Sequence, residues 1–236
     1  MSNHGSTILN GCTYFNHVIL PHDCLLCGAP SGGYPLCPAC HAGLPWHRAP
    51  QCPRCALPTP AGETCGHCLQ QAPAFDRTLA AFTYGFPLDA LIQALKYGHQ
   101  LALLAPLATA LARQVQAAPR PDILIAMPLH PLRLRERGFN QALELAKIVA
   151  RKLDIPLLPH GAERIRATAP QVGLPWKERT GNLRGAFACS LDLHGRHVAI
   201  LDDVMTTGAS LHELALTLRR QGAREISAWV VARTLP

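Results

Sequence analysis

From residue 77 onward, short apolar runs alternate with longer stretches in which apolar residues recur at helical spacing. Residues 77–84 (RTLAAFTY), 122–127 (DILIAM), 198–201 (VAIL) and 226–232 (ISAWVVA) read as strands. Residues 88–96, 101–117, 138–153 and 209–221 read as helices. The third of these carries apolar side chains at 139, 142, 143, 146, 149, 150 and 153, a single buried stripe. The last ends on Arg219 and Arg220 and stops at Gly222, the residues that suit a helix C-terminus. Strands that alternate with helices predict an α/β fold, a parallel sheet flanked by helices. The stretch 101–117 is broken by Pro106, Arg113 and Gln114 and predicts an amphipathic helix rather than a membrane span.

Before residue 74 the pattern changes. Pro and Gly are frequent, helical periodicity is absent, and eight of the ten cysteines lie between Cys24 and Cys68. They form four CxxC pairs: Cys24/Cys27, Cys37/Cys40, Cys52/Cys55 and Cys65/Cys68. Each of the first four cysteines has a counterpart 28 positions later, so one C-x2-C-x9-C-x2-C unit is duplicated. A CxxC turn offers two sulfurs to one ion, and two turns complete a tetrahedral zinc site. One or two structural Zn2+ ions are therefore expected, paired either sequentially (24/27 with 37/40) or crosswise (24/27 with 52/55). His22, His41, His47 and His67 could replace a cysteine but are expected at the surface. Disulfides, a redox CxxC and iron–sulfur ligation fit less well. Cys12 and Cys189 lie outside the units and are expected to be unpaired.

The most specific chemistry lies in VAILDDVMTTGAS, residues 198–210. Four apolar residues end in Asp202 and Asp203, and Thr206, Thr207 and Gly208 then lead into a helix. In open parallel sheets ligands bind beyond the carboxyl ends of strands, and a helix start offers free N–H groups to a phosphate. Gly208 allows close backbone approach, and Thr206, Thr207 and Ser210 add hydroxyl donors. Asp202 and Asp203 carry the wrong sign for phosphate. They suit sugar hydroxyls or a metal ion. The plainer alternative is an acidic turn that caps the next helix.

This string resembles the 5-phosphoribosyl 1-diphosphate (PRPP) loop of type I phosphoribosyltransferases. The resemblance implies ribose contacts from Asp202 and Asp203, and a PRPP-binding stretch through Val204, Met205, Thr206, Thr207, Gly208, Ala209 and Ser210. Further motifs, PLHPLRLRERGFNQALELA (128–146), LKYGHQ (95–100) and RATAPQVGL with ERTGNLRGAF (166–187), resemble the ComF family, of ComFC/GntX-like proteins. That family joins an N-terminal zinc finger to a phosphoribosyltransferase domain, and the doubled cysteine unit is closer to its GntX-like members. The implied organisation is a tail over 1–20, a zinc-binding module over 21–74 and a phosphoribosyltransferase-like domain over 75–236. By the same resemblance Arg137, Gly138, Asn140 and Gln141 lie near the diphosphate, Lys96 reaches phosphate or caps its helix, and residues 166–174 form a flap. Mg2+ accompanies PRPP.

Length and composition leave room for this reading. The 236 residues, 48% apolar and 16% charged, make a globular chain of one medium domain plus a small appendage. A net charge of +7, with 12 His besides, suits anionic partners. The first 20 residues show no basic start and no long apolar run, which predicts no secretory signal and a cytoplasmic protein without membrane insertion. No side chain stands out as a general base, and no acceptor pocket is legible. Two roles follow: a phosphoribosyltransferase of unidentified acceptor acting in DNA uptake or utilisation (competence for transformation), or a non-enzymatic PRPP sensor that adapts single-stranded DNA or DNA-uptake proteins. The cysteine module carries only Arg48 and Arg54 as basic residues and few aromatics, so a base-stacking surface is not written there.

Overall fold

The computed structural model describes residues 23–166 and 183–235. Four strands, β1 (Arg77–Thr83), β2 (Ile123–Ala126), β5 (His197–Met205) and β6 (Glu225–Arg233), form one sheet in the order β1-β6-β5-β2. All its pairings are parallel. Two short strands, β3 (Glu163–Arg164) and β4 (Phe187–Ala188), pair antiparallel beside it. β5 and β6 are buried along almost their whole length, as expected of central strands covered on both faces. Because the strands are parallel, the ends at Thr83, Ala126, Met205 and Arg233 gather on one rim.

Two five-residue helices, α1 (Pro38–Ala42) and α2 (Gly66–Gln70), lie in the cysteine-rich segment. Then come α3 (Leu88–Tyr97), α4 (Leu104–Val115), α5 (Pro131–Arg137), α6 (Gln141–Leu153) and α7 (Ala209–Arg220). α4 packs on β1 and β6, α6 packs on β2 and β5, and the two helices pack on each other. Leu107, Leu111, Ala146 and Val149 are buried as the helical spacing predicts, and Leu145, outside the expected stripe, is buried with them. Among the described residues no helix is long and apolar enough to cross a membrane.

Two boundaries differ from the sequence expectation. The helix expected over 138–153 begins at Gln141. Gly138 has φ +81° and ends α5 in a left-handed turn, and the Asn140 side chain accepts from the N–H groups of Ala142 and Leu143 at 3.0 and 3.3 Å. The strand expected over 198–201 runs on to Met205, because β6 supplies ladder partners as far as Met205 opposite Arg233.

The cysteine-rich segment shows its duplication in three dimensions. Asp23 bridges to Pro30, and Gln51 to Pro58. Cys24 N–H donates to the Ala29 carbonyl, and Cys52 N–H to that of Leu57, both at 2.8 Å. Each unit turns through a left-handed residue at the same place, Gly28 (φ +71°) in the first and Ala56 (φ +56°) in the second. The second unit has the less favourable residue there, and Ala56 is fully buried.

Candidate functional site

The acids lie at the end of a strand rather than in a loop, and strand alternation therefore separates them. Asp203 is 4% exposed and receives the Lys96 ammonium at 2.6 Å. Asp202 is half-buried. Burial, with the Asp203 charge beside it, pushes the Asp202 carboxyl well above the usual range, against the pull of Lys96. Burial opposes the Lys96 ammonium, but Asp203 and Asp202 outweigh it and hold the proton above the ordinary lysine value.

After Met205 the chain turns through Thr206, Thr207 and Gly208 into α7. Gly208 has φ +82°, a conformation that favours glycine, and a Cβ there would have to displace the Met205 methyl, 2.6 Å away. The N-cap position of α7 is this glycine, with no capping side chain of its own; Thr207 Oγ1 accepts from Ala209 N–H at a long 3.4 Å. The start of a twelve-residue helix thus faces a small cavity of about 50 Å3 lined by Asp202, Val204 and residues 205–211. N–H groups at a helix start favour an anion. Thr206, Thr207, Gly208, Ala209 and Ser210, from which a phosphate seat was expected, all line this cavity.

Basic groups converge on the acids from two further elements. Arg137, at the end of α5, donates to Gln141 Oε1 at 2.6 Å, stacks over Tyr97 at 5.3 Å, and lies close enough to oppose the Lys96 charge. Burial lowers the proton affinity of Arg164 on β3 against the pull of Asp202, and the Arg133 charge adds to the lowering. The structure thus brings Lys96, Arg137 and the acids together. It places Asn140 and Gln141 in supporting positions: Asn140 caps α6 and also donates from Nδ2 to the Met127 carbonyl at 3.1 Å, and Gln141 is 4% exposed beneath Arg137. The flap expected over 166–174 lies beyond Arg166, outside the described residues.

The eight cysteines resolve into two clusters, Cys24/Cys27/Cys37/Cys40 and Cys52/Cys55/Cys65/Cys68, whose sulfurs lie within 4.8 Å of one another. The pairing is therefore sequential. Four soft thiol donors at that separation fit tetrahedral zinc, with Zn–S bonds of about 2.3 Å. Burial opposes ionisation of Cys24 and Cys52, yet N–H groups, of Cys37, Cys27 and Leu26 around Cys24 and of Cys65, Cys55 and Arg54 around Cys52, bring these thiols down to about 6 and about 7.

Arg233 binds the second unit to the turn after β5, and the expected site residues did not include it. At the end of β6, 4% exposed, it donates from Nε to the Cys55 carbonyl at 2.7 Å. Its Nη1 donates to the carbonyls of Met205 at 3.1 Å, Thr206, and Thr234 at 2.8 Å. The legible signal was a lone charge closing an apolar strand at the functional rim. Arg164 was missed for another reason, since its only context is a two-residue strand. His47 corrects an expectation: it is 4% exposed rather than at the surface, with Nδ1 3.0 Å from Thr83 Oγ1 and Nε2 2.9 Å from the Ala56 carbonyl. It joins β1 to the second unit, and burial lowers its pKa. His41 packs edge-on to Trp46 at 5.4 Å, and His67 is exposed. Cys189 is a free, half-buried thiol.

Comparison with known proteins gives two family matches: the double zinc ribbon domain over residues 15–69 and the phosphoribosyl transferase domain over residues 140–235. The chain is 36% identical to the DNA utilization protein YhgH of Shigella flexneri over 225 residues, covering 92% of this chain and 99% of that protein. It is 34% identical to competence protein F of Haemophilus influenzae, covering 92% and 93%. It is 24% identical to competence protein ComFC of Bacillus subtilis, covering 84% of each.

Proposed function

The chain belongs to the family of DNA utilization protein YhgH and competence protein F, and from that premise we propose that it binds PRPP with Mg2+ at the 202–210 loop and acts in DNA uptake or utilisation as a phosphoribosyltransferase. The observation that carries the reading is the uncapped start of α7 directly beyond the paired acids. In this reading the N–H groups and hydroxyls of residues 206–210 hold the 5-phosphate. Asp202 and Asp203 accept from the ribose hydroxyls. Lys96 fixes Asp203 in place, and Arg137 turns its guanidinium to the diphosphate, whose oxygens a planar fork matches. Mg2+ usually binds through one or two carboxylates plus substrate phosphates, and Asp202, the acid not engaged by Lys96, fits that share of its coordination. Bound there, Mg2+ would neutralise charge that builds on the leaving diphosphate. Catalysis is then electrostatic positioning, with Arg164 as a further cation toward the acids. The cysteine units hold structural zinc, as four thiolates leave no open ligand position. Eight cysteines grouped as metal ligands suit a reducing, cytoplasmic setting.

Calorimetric titration of the zinc-loaded protein with PRPP and Mg2+ tests the proposal. Binding that is lost in the Asp202→Asn/Asp203→Asn double variant supports it, and no binding to the wild type rejects it. A second reading, an adaptor for single-stranded DNA, draws on α5, where exposed Leu132 and Leu134 alternate with Arg133 and Arg135. Under that reading oligonucleotide affinity falls steeply with salt and PRPP leaves it unchanged.

A further inference from the structure

Where the turn after β5 meets the second cysteine unit, the fold encloses a cavity of about 460 Å3. Thr206 and Thr207 line both this cavity and the small one over the turn, so it lies across a shared wall from the acids. None of the roles above uses it. Its lining includes two members of the second cysteine cluster, Cys55 and Cys68, which are buried at 7% and 4% exposure. His67, Gln71 and Leu235 are exposed and open its rim to solvent. A water molecule takes about 30 Å3 in the liquid, so a solute of two oxygen atoms enters easily. The cavity thus leads small solutes to cysteines that the fold otherwise covers.

The backbone around Cys55 is bonded to its surroundings residue by residue. The Pro53 carbonyl accepts from Thr78 N–H at 3.0 Å, that of Arg54 from Thr78 Oγ1 at 2.5 Å, and that of Cys55 from Arg233 Nε at 2.7 Å. His47 Nε2 lies 2.9 Å from the carbonyl of Ala56. Two of these partners also touch the end of β5 and its turn. Arg233 Nη1 donates to the carbonyls of Met205 and Thr206, and Thr78 Oγ1 lies 3.9 Å from the Met205 sulfur. A displacement of Cys55 therefore reaches residues 205 and 206 through a single side chain. Inside the cluster, Cys55 Sγ and Cys65 Sγ are 3.6 Å apart, and Cys65 is half-buried. The first unit holds the matching pair, Cys27 and Cys37, at 3.8 Å, with Cys27 exposed. It is the second unit that Arg233 joins to the turn.

We propose that the second cysteine unit is an oxidative switch for the turn after β5: a peroxide that enters the cavity joins Cys55 to Cys65, and the unit then loses its grip on its ion and on the turn. This regulation rests on the PRPP reading for what is switched. Zinc, when bound, keeps its thiols deprotonated, and the thiolate is the form that peroxide oxidises. The Cys55 sulfur attacks a peroxide oxygen; an S–O bond forms as the O–O bond breaks, and hydroxide leaves. The Cys65 sulfur then attacks that of Cys55; the S–S bond forms as the S–O bond breaks, and a second hydroxide leaves. Two protons from solvent turn the hydroxides into water. The two sulfurs give up two electrons, and one peroxide is reduced. Two sulfur donors then remain where a tetrahedral site needs four. Metal binding supplies folding energy to a unit this small, so the Cys52–Cys55 turn opens and Arg233 loses the Cys55 carbonyl. The bond joins two separate turns of the unit, which sets it apart from a redox CxxC, whose disulfide closes within one.

The test treats the full zinc-loaded chain with hydrogen peroxide. Disulfides are mapped by peptide mass spectrometry, released zinc is read with a chromogenic chelator, amide hydrogen exchange is followed over residues 205–209, and PRPP affinity with Mg2+ is measured by calorimetry. The expected result is a Cys55–Cys65 disulfide with zinc release, faster exchange at 205–209 while α4 stays protected, and PRPP affinity lowered about tenfold, within the usual range for coupled sites. Thiol reductant with added zinc restores all of these. Gln71→Trp, at the exposed rim, fills the cavity. It is expected to slow the Cys55–Cys65 disulfide while Cys27 and Cys37 oxidise at the wild-type rate, and that first-unit oxidation leaves exchange at 205–209 unchanged. Cys55 and Cys65 that stay reduced, a disulfide formed without change at 205–209, an exchange increase spread equally over α4, or an undiminished rate in Gln71→Trp overturns the proposal. Faster exchange on oxidation in a chain that never binds PRPP upholds the switch while the PRPP reading falls. PRPP affinity unchanged after complete Cys55–Cys65 oxidation removes this inference alone.

Discussion

Lys96 and the adjacent acids set the terms at the scale of single residues. A buried carboxylate without its counter-charge is costly, so Lys96→Met is expected to destabilise the fold by about 3 kcal/mol. The Lys96→Met/Asp203→Asn double variant is expected to lose clearly less than the sum of the single losses, measured from urea midpoints. Asp202 adds a pH dependence. Its carboxyl is held above the ordinary aspartate value by burial and by Asp203, so on acidification it takes up a proton sooner than a free aspartate would. PRPP affinity is therefore expected to fall as pH is lowered, starting above the roughly 3.9 of an unperturbed aspartate, and this arm of the profile should flatten in Asp202→Asn. A profile that is identical in the variant would remove Asp202 from the site. Residue identity was legible here: two acids before a Thr-Thr-Gly turn announce the chemistry. Their unequal burial was not, because it depends on whether residues 202–205 are loop or strand, and only the ladder with β6 decides that.

Among the elements, the strand-to-helix turn at Gly208 and the arginine that closes β6 carry the argument. A side chain at Gly208 must enter a left-handed backbone and push the Met205 methyl aside. Gly208→Ala should cost about 1–2 kcal/mol of stability and should weaken PRPP binding more than substitutions elsewhere on α7, read by titration. Arg233→Met leaves the carbonyls of Cys55, Met205 and Thr206 without their buried donor. A loss of about 3 kcal/mol follows from the usual worth of charge-assisted hydrogen bonds, and a thermal midpoint unchanged from wild type would show that the strut is idle. Most strands and helices were readable from their periods, but the end of β5 fell four residues beyond its apolar run. The start of α6 was not, since Phe139 continues the apolar stripe across a turn. Gly138 and the Asn140 cap stop the helix there, and caps act through backbone geometry rather than through hydrophobic pattern.

For the whole molecule, the cysteine units and the sheet form one connected structure. His47, Arg233 and the bridge from Trp46 to Phe82 tie them together. These contacts join residues distant in sequence, so the pattern of cysteines could show that a metal module exists but not that its second half leans on the phosphate loop. The two units should therefore differ. Metal analysis is expected to give two zinc ions per chain. Cys52→Ser should weaken PRPP binding along with stability, whereas Cys24→Ser should leave PRPP affinity within about twofold, because the hydrogen bonds of Arg233 run to the second unit. Equal effects from the two substitutions would show that zinc supports the fold only in general. The central claim, that the 202–210 turn seats a phosphoribosyl diphosphate, is tested most directly by a crystal structure of the zinc-loaded protein with PRPP and Mg2+. The account predicts the 5-phosphate within hydrogen-bond distance of the N–H groups of residues 206–209, with the ribose hydroxyls on Asp202 and Asp203. A ligand bound elsewhere, or a loop left empty at saturating PRPP, would contradict it.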